Sequence, residues 1–225
     1  MSFAQGSPEA GPPGRSGIPR PVEAVAALAG LLLSVPLLAV AALAIVTTSR
    51  GPALFRQERV GRGGRTFRFY KLRTMRASSG GPQVTAGDDA RITQVGRFLR
   101  RTKLDELPQL WNVIRGDMSL VGPRPEVPKY VNPEDPLWKR VLQARPGITD
   151  PVTLRLRDEE TILKRAAGDR DRFYREQLQP LKLREYVLYL ERRSWRSDLE
   201  VLWRTLTSLL LLRDPDVPAG APKRS

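Results

Sequence analysis

The stretch LRRTKLDELPQLWNVIRGDMSLVGPRPE, residues 99–126, places two adjacent carboxylates, Asp105 and Glu106, among basic residues. Apolar side chains recur at three- and four-residue spacing on both sides of the pair, which predicts two short helices, the second ending at Gly116. A proline-stiffened, extended segment follows. The carboxylate pair is therefore expected to lie between local structures that bring cations close to it.

Adjacent helical residues point about 100° apart, so these two carboxylates would not form a symmetric pair. One could attack a phosphate while the other holds a metal ion, provided that cations such as Arg100 and Arg124 neutralise the phosphate oxygens. The alternative is structural: Thr102 caps a helix whose first turn carries both acids, where they favour the helix dipole. On local pattern alone, this structural interpretation is the more common one.

The composition limits the available chemistry. The chain has 225 residues and a formal charge of +14, with 38 Lys and Arg against 24 Asp and Glu, and it contains no Cys and no His. Disulfides, thiolate nucleophiles, His-based triads and Cys/His zinc sites are excluded. An excess of basic residues favours phosphorylated, nucleic-acid or anionic-lipid partners. A metal would be held by oxygen, as Mg²⁺ is.

A hairpin is predicted within residues 51–75, since two segments rich in aromatic and β-branched residues flank the glycine-rich turn at 61–64. Its second strand carries Lys71 and Arg73 in the sequence YKLRTM. These two are candidate phosphate contacts. Basic residues on a strand also commonly form an ordinary solvated face, and the sequence leaves both interpretations open.

Residues 24–46 contain no charge and are long enough to span a bilayer. Pro36 lies in the middle, where it removes a helix hydrogen bond, and the hydroxyl of Ser34 can bond to a freed carbonyl. Both flanks are basic, which favours the cytoplasmic side for each. A helix broken at Ser34–Pro36 that enters and leaves the same leaflet satisfies these facts, but the residues also allow a single-pass helix.

The remaining organisation follows from composition and periodicity. Residues 195–213 predict an amphipathic helix, suited to a membrane interface or to core packing. Residues 159–190 are expected to be helical. The predicted divisions are a disordered leader at 1–21, a membrane-inserted helix at 22–48, a cytoplasmic and interfacial domain at 49–213 and a disordered tail at 214–225.

Three segments resemble the bacterial sugar transferases, the monotopic polyprenyl-phosphate phosphoglycosyltransferases, in their minimal short form. They are GPALFRQERVGRGGRTFRFYKLRTM, ITQVGRFLRRTKLDELPQLWNVIRGDMSLVGPRPE and RPGIT at 145–149, and the C-terminal YLERRSWRSDLEVLWRTL is similar too. The resemblance implies a helix-rich α+β fold. It comprises an N-terminal re-entrant membrane helix, a small β-hairpin, interfacial amphipathic helices and a compact catalytic domain on the cytoplasmic face of the bacterial inner membrane.

The resemblance also implies an activity. A sugar-1-phosphate would pass from a UDP-sugar to undecaprenyl phosphate, releasing UMP and starting surface glycan assembly. Asp105 would attack the phosphate that bears the sugar, and Glu106, with Asp105, would hold Mg²⁺. Arg100 and Arg124 match phosphate-contacting positions. The expected partners are both substrates and anionic lipids, with a homodimer allowed and no nucleic acid.

Two features depart from the family pattern. Val35 separates Ser34 from Pro36, and residues 150–160 differ from those that usually follow RPGIT in that family, so the resemblance specifies no particular sugar. The rival functions are a membrane-associated nucleic-acid binder, which would not explain the carboxylate pair, and a non-catalytic membrane scaffold. Asp105 discriminates among them, because only the enzyme needs its carboxylate.

Overall fold

In the computed structural model, which describes residues 17–76, 89–155 and 169–210, the uncharged segment forms one helix, α1, Arg20–Thr48. Within those ranges it is the one helix long and apolar enough to cross a membrane. Its 29 residues span about 43 Å. A stripe at four- and seven-residue spacing is buried: Glu23, Ala27, Ser34, Ala41 and Ile45. Large apolar side chains, including Leu33 and Val40, are exposed elsewhere on the helix.

Polar contacts join the start of α1 to the rest of the molecule. The Arg20 guanidinium donates to the carbonyl oxygens of Val113 and Ile114, the latter at 3.1 Å. The buried carboxylate of Glu23 accepts a hydrogen bond from the backbone N–H of Leu120 at 3.0 Å. A charged residue in an otherwise apolar helix is tolerated here because its oxygens have donors.

The far end of α1 is held in the same way by Arg73. Its guanidinium donates to the carbonyl oxygens of Ser49 and Gly51, each at 2.9 Å, and also to that of Arg50. These carbonyls follow the last turn of α1, where helix bonding leaves them unpaired. Both ends of the apolar helix therefore contact the same folded unit.

The helix continues through Pro36, so the predicted break at Ser34–Pro36 does not divide α1 into two helices. The Ser34 hydroxyl donates to the carbonyl oxygen of Leu31 at 2.9 Å, which is the kind of bond that the sequence predicted. Proline is tolerated inside apolar helices when nearby groups satisfy the freed backbone. The re-entrant placement in a bilayer stays a prediction.

The hairpin prediction is confirmed. Strands β1, Leu54–Val60, and β2, Thr66–Leu72, pair antiparallel from Leu54 opposite Leu72 to Val60 opposite Thr66. The connecting 3₁₀ turn, Arg62–Gly64, needs glycine because Gly63 and Gly64 have φ values of 68° and 75°.

Helix α2, Gln94–Thr102, begins at a side-chain cap from Thr93 and packs closely on the chain leaving β2. A Cβ at Gly96 would overlap the carbonyl oxygen of Thr74, so only glycine permits this approach. A 3₁₀ turn, Leu104–Glu106, leads to α3, Gln109–Arg115. The predicted end at Gly116 is confirmed, with a φ of 90°.

A second sheet, which the sequence did not reveal, consists of β3, Ser119–Val121, paired in parallel with β4, Gly147–Thr149. Three-residue strands carry no readable alternation, so only the tertiary contact defines them. Between them lie a 3₁₀ turn, Pro128–Tyr130, and α4, Pro136–Val141.

The C-terminal part is helical. It comprises α5, Pro151–Arg155; α6, Arg170–Phe173; a π-helical turn, Tyr174–Leu178; α7, Gln179–Arg192; and α8, Trp195–Leu210. Aromatic and aliphatic residues of α4, α5 and α7 form one core cluster. The predicted tail at 214–225, most of the predicted leader at 1–21 and residues 159–168 of the predicted helical segment 159–190 lie outside the described residues. The helix-rich α+β prediction is confirmed.

We expect Gly96→Ala to lower the melting temperature by several degrees, because overpacking costs about 1–3 kcal/mol and each kcal/mol shifts a chain of this size by about 2–4 °C. Gly30→Ala is the matched control, since its Cβ would lie 3.4 Å from the nearest atom, Cδ1 of Leu110. Thermal unfolding in detergent measures both. Equal melting temperatures for the two variants would contradict the role of the Gly96 contact.

Candidate active site

The carboxylate pair lies in the 3₁₀ turn that follows α2. Lys103 makes the turn with a φ of 58°, the one positive φ of a non-glycine residue in the described part of the chain. The capping prediction for Thr102 is therefore wrong: Thr102 is the last residue of α2, and its hydroxyl donates to the carbonyl of Phe98 at 2.9 Å. Strained left-handed conformations cluster at functional sites.

Glu106 is fully engaged by cations. Arg124 Nη2 lies 2.7 Å from Glu106 Oε1 and Arg124 Nη1 lies 3.3 Å from Oε2, while Lys103 Nζ is 3.8 Å from Oε1. Burial opposes the charged form, but Arg124 and then Lys103 outweigh it and hold the pKa of Glu106 well below its usual value. Glu106 is therefore a fixed anion that in turn raises the pKa of Arg124.

Asp105 differs from its neighbour. The residue is 4% exposed, and its Oδ1 has no hydrogen-bond partner. Burial, followed by the nearby charge of Glu106, raises the pKa of Asp105 to about 6. The two adjacent carboxylates thus have different environments. Asp105, which has no hydrogen-bonded counter-ion, is the one whose charged form is destabilised.

Lys71 reaches the same site from β2. Burial lowers the pKa of Lys71 to about 8, and the charge of Asp105 is the main opposing influence. Its ammonium lies 5.6 Å from the ring centroid of Phe55 on the paired strand. The hairpin therefore supplies a cation that faces the carboxylates.

The two remaining predicted phosphate contacts are placed differently. Arg100, on α2, donates from Nε to the hydroxyl of Thr74 at 3.2 Å, and its charge lowers the pKa of Asp105. Arg73 is buried and uses its guanidinium on carbonyl oxygens after α1. The structure thus brings Arg100 to the carboxylates and gives Arg73 a structural contact.

Sequence reasoning missed two residues near the site. Gln109, four residues after Asp105, is fully buried, and neither polar atom of its amide has a hydrogen-bond partner. Arg59 donates to the carbonyl of Pro125 at 3.2 Å, which fixes the segment after Arg124. The helical spacing from Asp105 could have indicated Gln109, but nothing local indicated Arg59.

The donor atoms fit a hard cation with few protein ligands. The described ranges contain no group of three or more His, Cys, Asp or Glu residues suited to a metal. Asp105 Oδ1 is buried without a partner, and the carbonyl oxygen of Gln109 is equally unpaired. Mg²⁺ commonly binds one or two carboxylates and completes its shell with water and substrate phosphates. Arg124 already contacts both oxygens of Glu106, the other predicted ligand.

A pocket adjoins Glu106 and its two cations, with an empty volume of about 700 Å³ that includes the solvent at its mouth. Its charged wall consists of Lys103, Glu106 and Arg124, and the rest comes from Leu107 and from α3, β4, α5 and α8. The site therefore combines a polar anion-handling centre with a concave space beside it, as ligand sites do.

The sequence also matches a known protein family. The model of the bacterial sugar transferase family matches residues 15–211. This chain belongs to that family. The resemblance inferred from the sequence is confirmed, and the predicted enzyme class, a phosphoglycosyltransferase, is confirmed with it.

The similarity to individual relatives extends over different shares of this chain. A UDP-glucose:undecaprenyl-phosphate glucose-1-phosphate transferase from Caulobacter vibrioides is 43% identical over 202 residues, 85% of this chain and 69% of that protein. A putative undecaprenyl-phosphate N-acetylgalactosaminyl 1-phosphate transferase from Bacillus subtilis is 49% identical over 46% of this chain and 59% of its own length. A UDP-N-acetylgalactosamine-undecaprenyl-phosphate N-acetylgalactosaminephosphotransferase from Aeromonas hydrophila is 42% identical over 59% of this chain, but over 32% of its own length.

We expect Asp105→Asn to raise the melting temperature at pH 8 by about 2 °C or more, measured without divalent metal. A carboxyl whose folded-state pKa of about 6 exceeds its unfolded value of 3.8 lowers stability progressively as pH rises between those two values, and the full penalty persists at higher pH. The variant lacks this penalty, so its advantage should shrink as pH falls toward 4. A variant less stable than the wild type at pH 8 would show that the Asp105 charge stabilises the fold.

Proposed function

We propose that this enzyme transfers a sugar-1-phosphate from a UDP-sugar to undecaprenyl phosphate and releases UMP. The names of the relatives support the two substrate classes. The state of Asp105 carries the argument within this chain: it is a buried carboxylate with one oxygen unbonded, beside a second carboxylate that Arg124 immobilises.

In the first step, an oxygen of ionised Asp105 attacks the phosphorus that bears the sugar. The bond from that phosphorus to the bridging oxygen breaks, and UMP leaves with the electron pair. Asp105 then carries the sugar phosphate as an acyl phosphate. The weak solvation of Asp105 favours this role, because a carboxylate that lacks hydrogen bonds keeps its lone pairs available.

In the second step, a phosphate oxygen of undecaprenyl phosphate attacks the same phosphorus. The acyl phosphate bond breaks, the Asp105 carboxylate is restored, and the product is the undecaprenyl diphosphate sugar. Both acceptor and donor are anions, so both steps need cations around Asp105. Lys71, Arg100 and Arg124 provide them, and each interacts electrostatically with the carboxylate pair.

Mg²⁺ is the cofactor that the donor atoms fit. Asp105 would hold it, together with Glu106 if that carboxylate shares an oxygen with Arg124. The ion would neutralise the diphosphate and its leaving group.

We also propose that α1 is re-entrant, so that the catalytic domain lies on the cytoplasmic face of the inner membrane, against anionic lipids. The supporting observation is that Arg20, at the start of α1, and the carbonyls after its end both bond to one folded unit. A helix whose ends lay on opposite faces of the bilayer would separate those contacts by about 30 Å of hydrocarbon.

UMP release tests the activity. Purified enzyme in nanodiscs, with Mg²⁺ and undecaprenyl phosphate, is expected to release UMP from one member of a panel that includes UDP-glucose and UDP-N-acetylgalactosamine. Asp105→Asn should reduce the rate by a factor on the order of 10³ or more, because the nucleophile is lost. Intact mass with donor alone should show a phosphosugar adduct on the wild type only.

Asp135→Asn is the matched control, since asparagine also caps helices and Asp135 caps α4. It should keep full activity. If Asp105→Asn retained the wild-type rate, Asp105 would not be the nucleophile. Salt-sensitive DNA retention without UMP release would instead indicate the nucleic-acid binder, and neither activity would indicate a scaffold.

Cysteine labelling tests the topology, helped by the absence of native cysteines. Pro19→Cys and Arg50→Cys place single exposed thiols just outside the two ends of α1. Both are expected to react with a membrane-impermeant maleimide in inverted vesicles and neither in intact spheroplasts. If one thiol reacted only in inverted vesicles and the other only in intact spheroplasts, α1 would be a single-pass helix.

A further inference from the structure

The pocket beside Glu106 has an apolar wall formed by α3, β4, α5 and α8, together with Leu107 just before α3. We call this wall and the space against it the groove. Its apolar side chains are Leu107, Leu110, Ile148, Leu154 and Leu209. No step of the transfer chemistry uses these side chains, so their function is not explained by the carboxylate site.

The hydroxyl groups in the groove already have protein partners. Those of Thr149 and Thr205 bond to each other at 2.8 Å, and that of Thr153 donates to Asp150 at 2.6 Å. The Ser208 hydroxyl donates to the Thr205 carbonyl at 2.8 Å. These bonds leave the wall with an essentially hydrocarbon face. A uracil or sugar placed there would lose its hydrogen bonds with water and gain few in return.

The charged residues of the groove occupy one corner. Lys103 and Arg124 both pair with Glu106, at 3.8 Å and 2.7 Å, and Glu106 adjoins Asp105 in sequence. The groove therefore suits a ligand with a phosphate at one end and hydrocarbon along the rest.

The groove also adjoins the membrane helix. Leu110, in its wall, packs in the same cluster as Ala27 of α1, and Gly30 passes close to it. Another part of the wall comes from α8, which also exposes Trp203 and Leu206, 67% and 55% accessible. A hydrocarbon chain leaving the groove between these helices would meet apolar surface suited to lipid.

From these observations we propose that the groove binds the first isoprene units of the polyprenyl phosphate acceptor, holding its phosphate toward Asp105. The inference rests on the proposed function for the identity of the acceptor. The proposal places the isoprenoid chain of the acceptor in the space between α3, α5 and α8 rather than on the exposed face of α1.

The first test separates the two half-reactions. Leu154→Gln and Leu209→Gln place an amide in the groove, and each should raise the KM for undecaprenyl phosphate about tenfold. Formation of the phosphosugar adduct from donor alone should stay within twofold of the wild type, which also shows that the variants fold. Leu206→Gln is the matched control, because it makes the same change on the exposed face of α8.

The outcomes are distinct. An unchanged acceptor KM in both groove variants, or an equal rise in Leu206→Gln, overturns the groove assignment while leaving the proposed function intact. Absence of adduct and UMP in the wild type contradicts the proposed function, and the groove is then judged by photolabelling alone.

Photolabelling uses a benzophenone-bearing farnesyl phosphate with the full chain in detergent, and needs no turnover. Labelled peptides from α5 or α8, protected by undecaprenyl phosphate but not by UDP, are the expected result. Labels confined to α1, or protection by UDP in place of the prenyl phosphate, would overturn the proposal.

Discussion

The polar contacts at the two ends of α1 are the constraint on which the arrangement of this molecule depends. Arg20 and Glu23 tie its start to α3 and β3, and Arg73 ties the carbonyls after its end to the end of β2. Between these points a stripe of small and apolar residues packs on the domain. Because α3 and β2 also border the turn that carries Asp105 and Glu106, the contacts that hold the helix also fix the candidate site relative to it.

The site illustrates how tertiary contacts distinguish two neighbouring carboxylates. Both carboxylate oxygens of Glu106 accept hydrogen bonds from the Arg124 guanidinium, which keeps Glu106 ionised, while Asp105 is buried with one oxygen unbonded. Opposite shifts of the two pKa values follow, since a paired charge is stabilised and an unpaired one is not. The family match shows a sugar transferase, and under the function proposed above the immobilised anion and the available one would have different roles.

The groove likewise combines a charged region and an apolar region. Its charged corner is continuous with the carboxylate site, whereas its remaining hydroxyls bond within the protein and leave a hydrocarbon wall. An amphiphilic acceptor would thus meet two kinds of surface in one pocket. Leu110 in the groove packs near Ala27 of the apolar helix α1, and the amphipathic α8 forms another part of the wall. The apolar part of such a ligand would therefore meet apolar surface where it leaves the groove.

The sequence by itself determined the features that depend on neighbours along the chain. These are the apolar helix, the hairpin with its glycine turn, the end of α3 at Gly116, the amphipathic α8, and the position of Asp105 and Glu106 among cations. Local spacing and turn chemistry carry that information. Only the tertiary structure decided that Arg124 pairs with Glu106, that Arg73 binds backbone carbonyls, that β3 and β4 pair, and that Gln109 is fully buried. Each of these depends on groups brought together from distant segments or on burial by them, and no local pattern records which partner a charge will find.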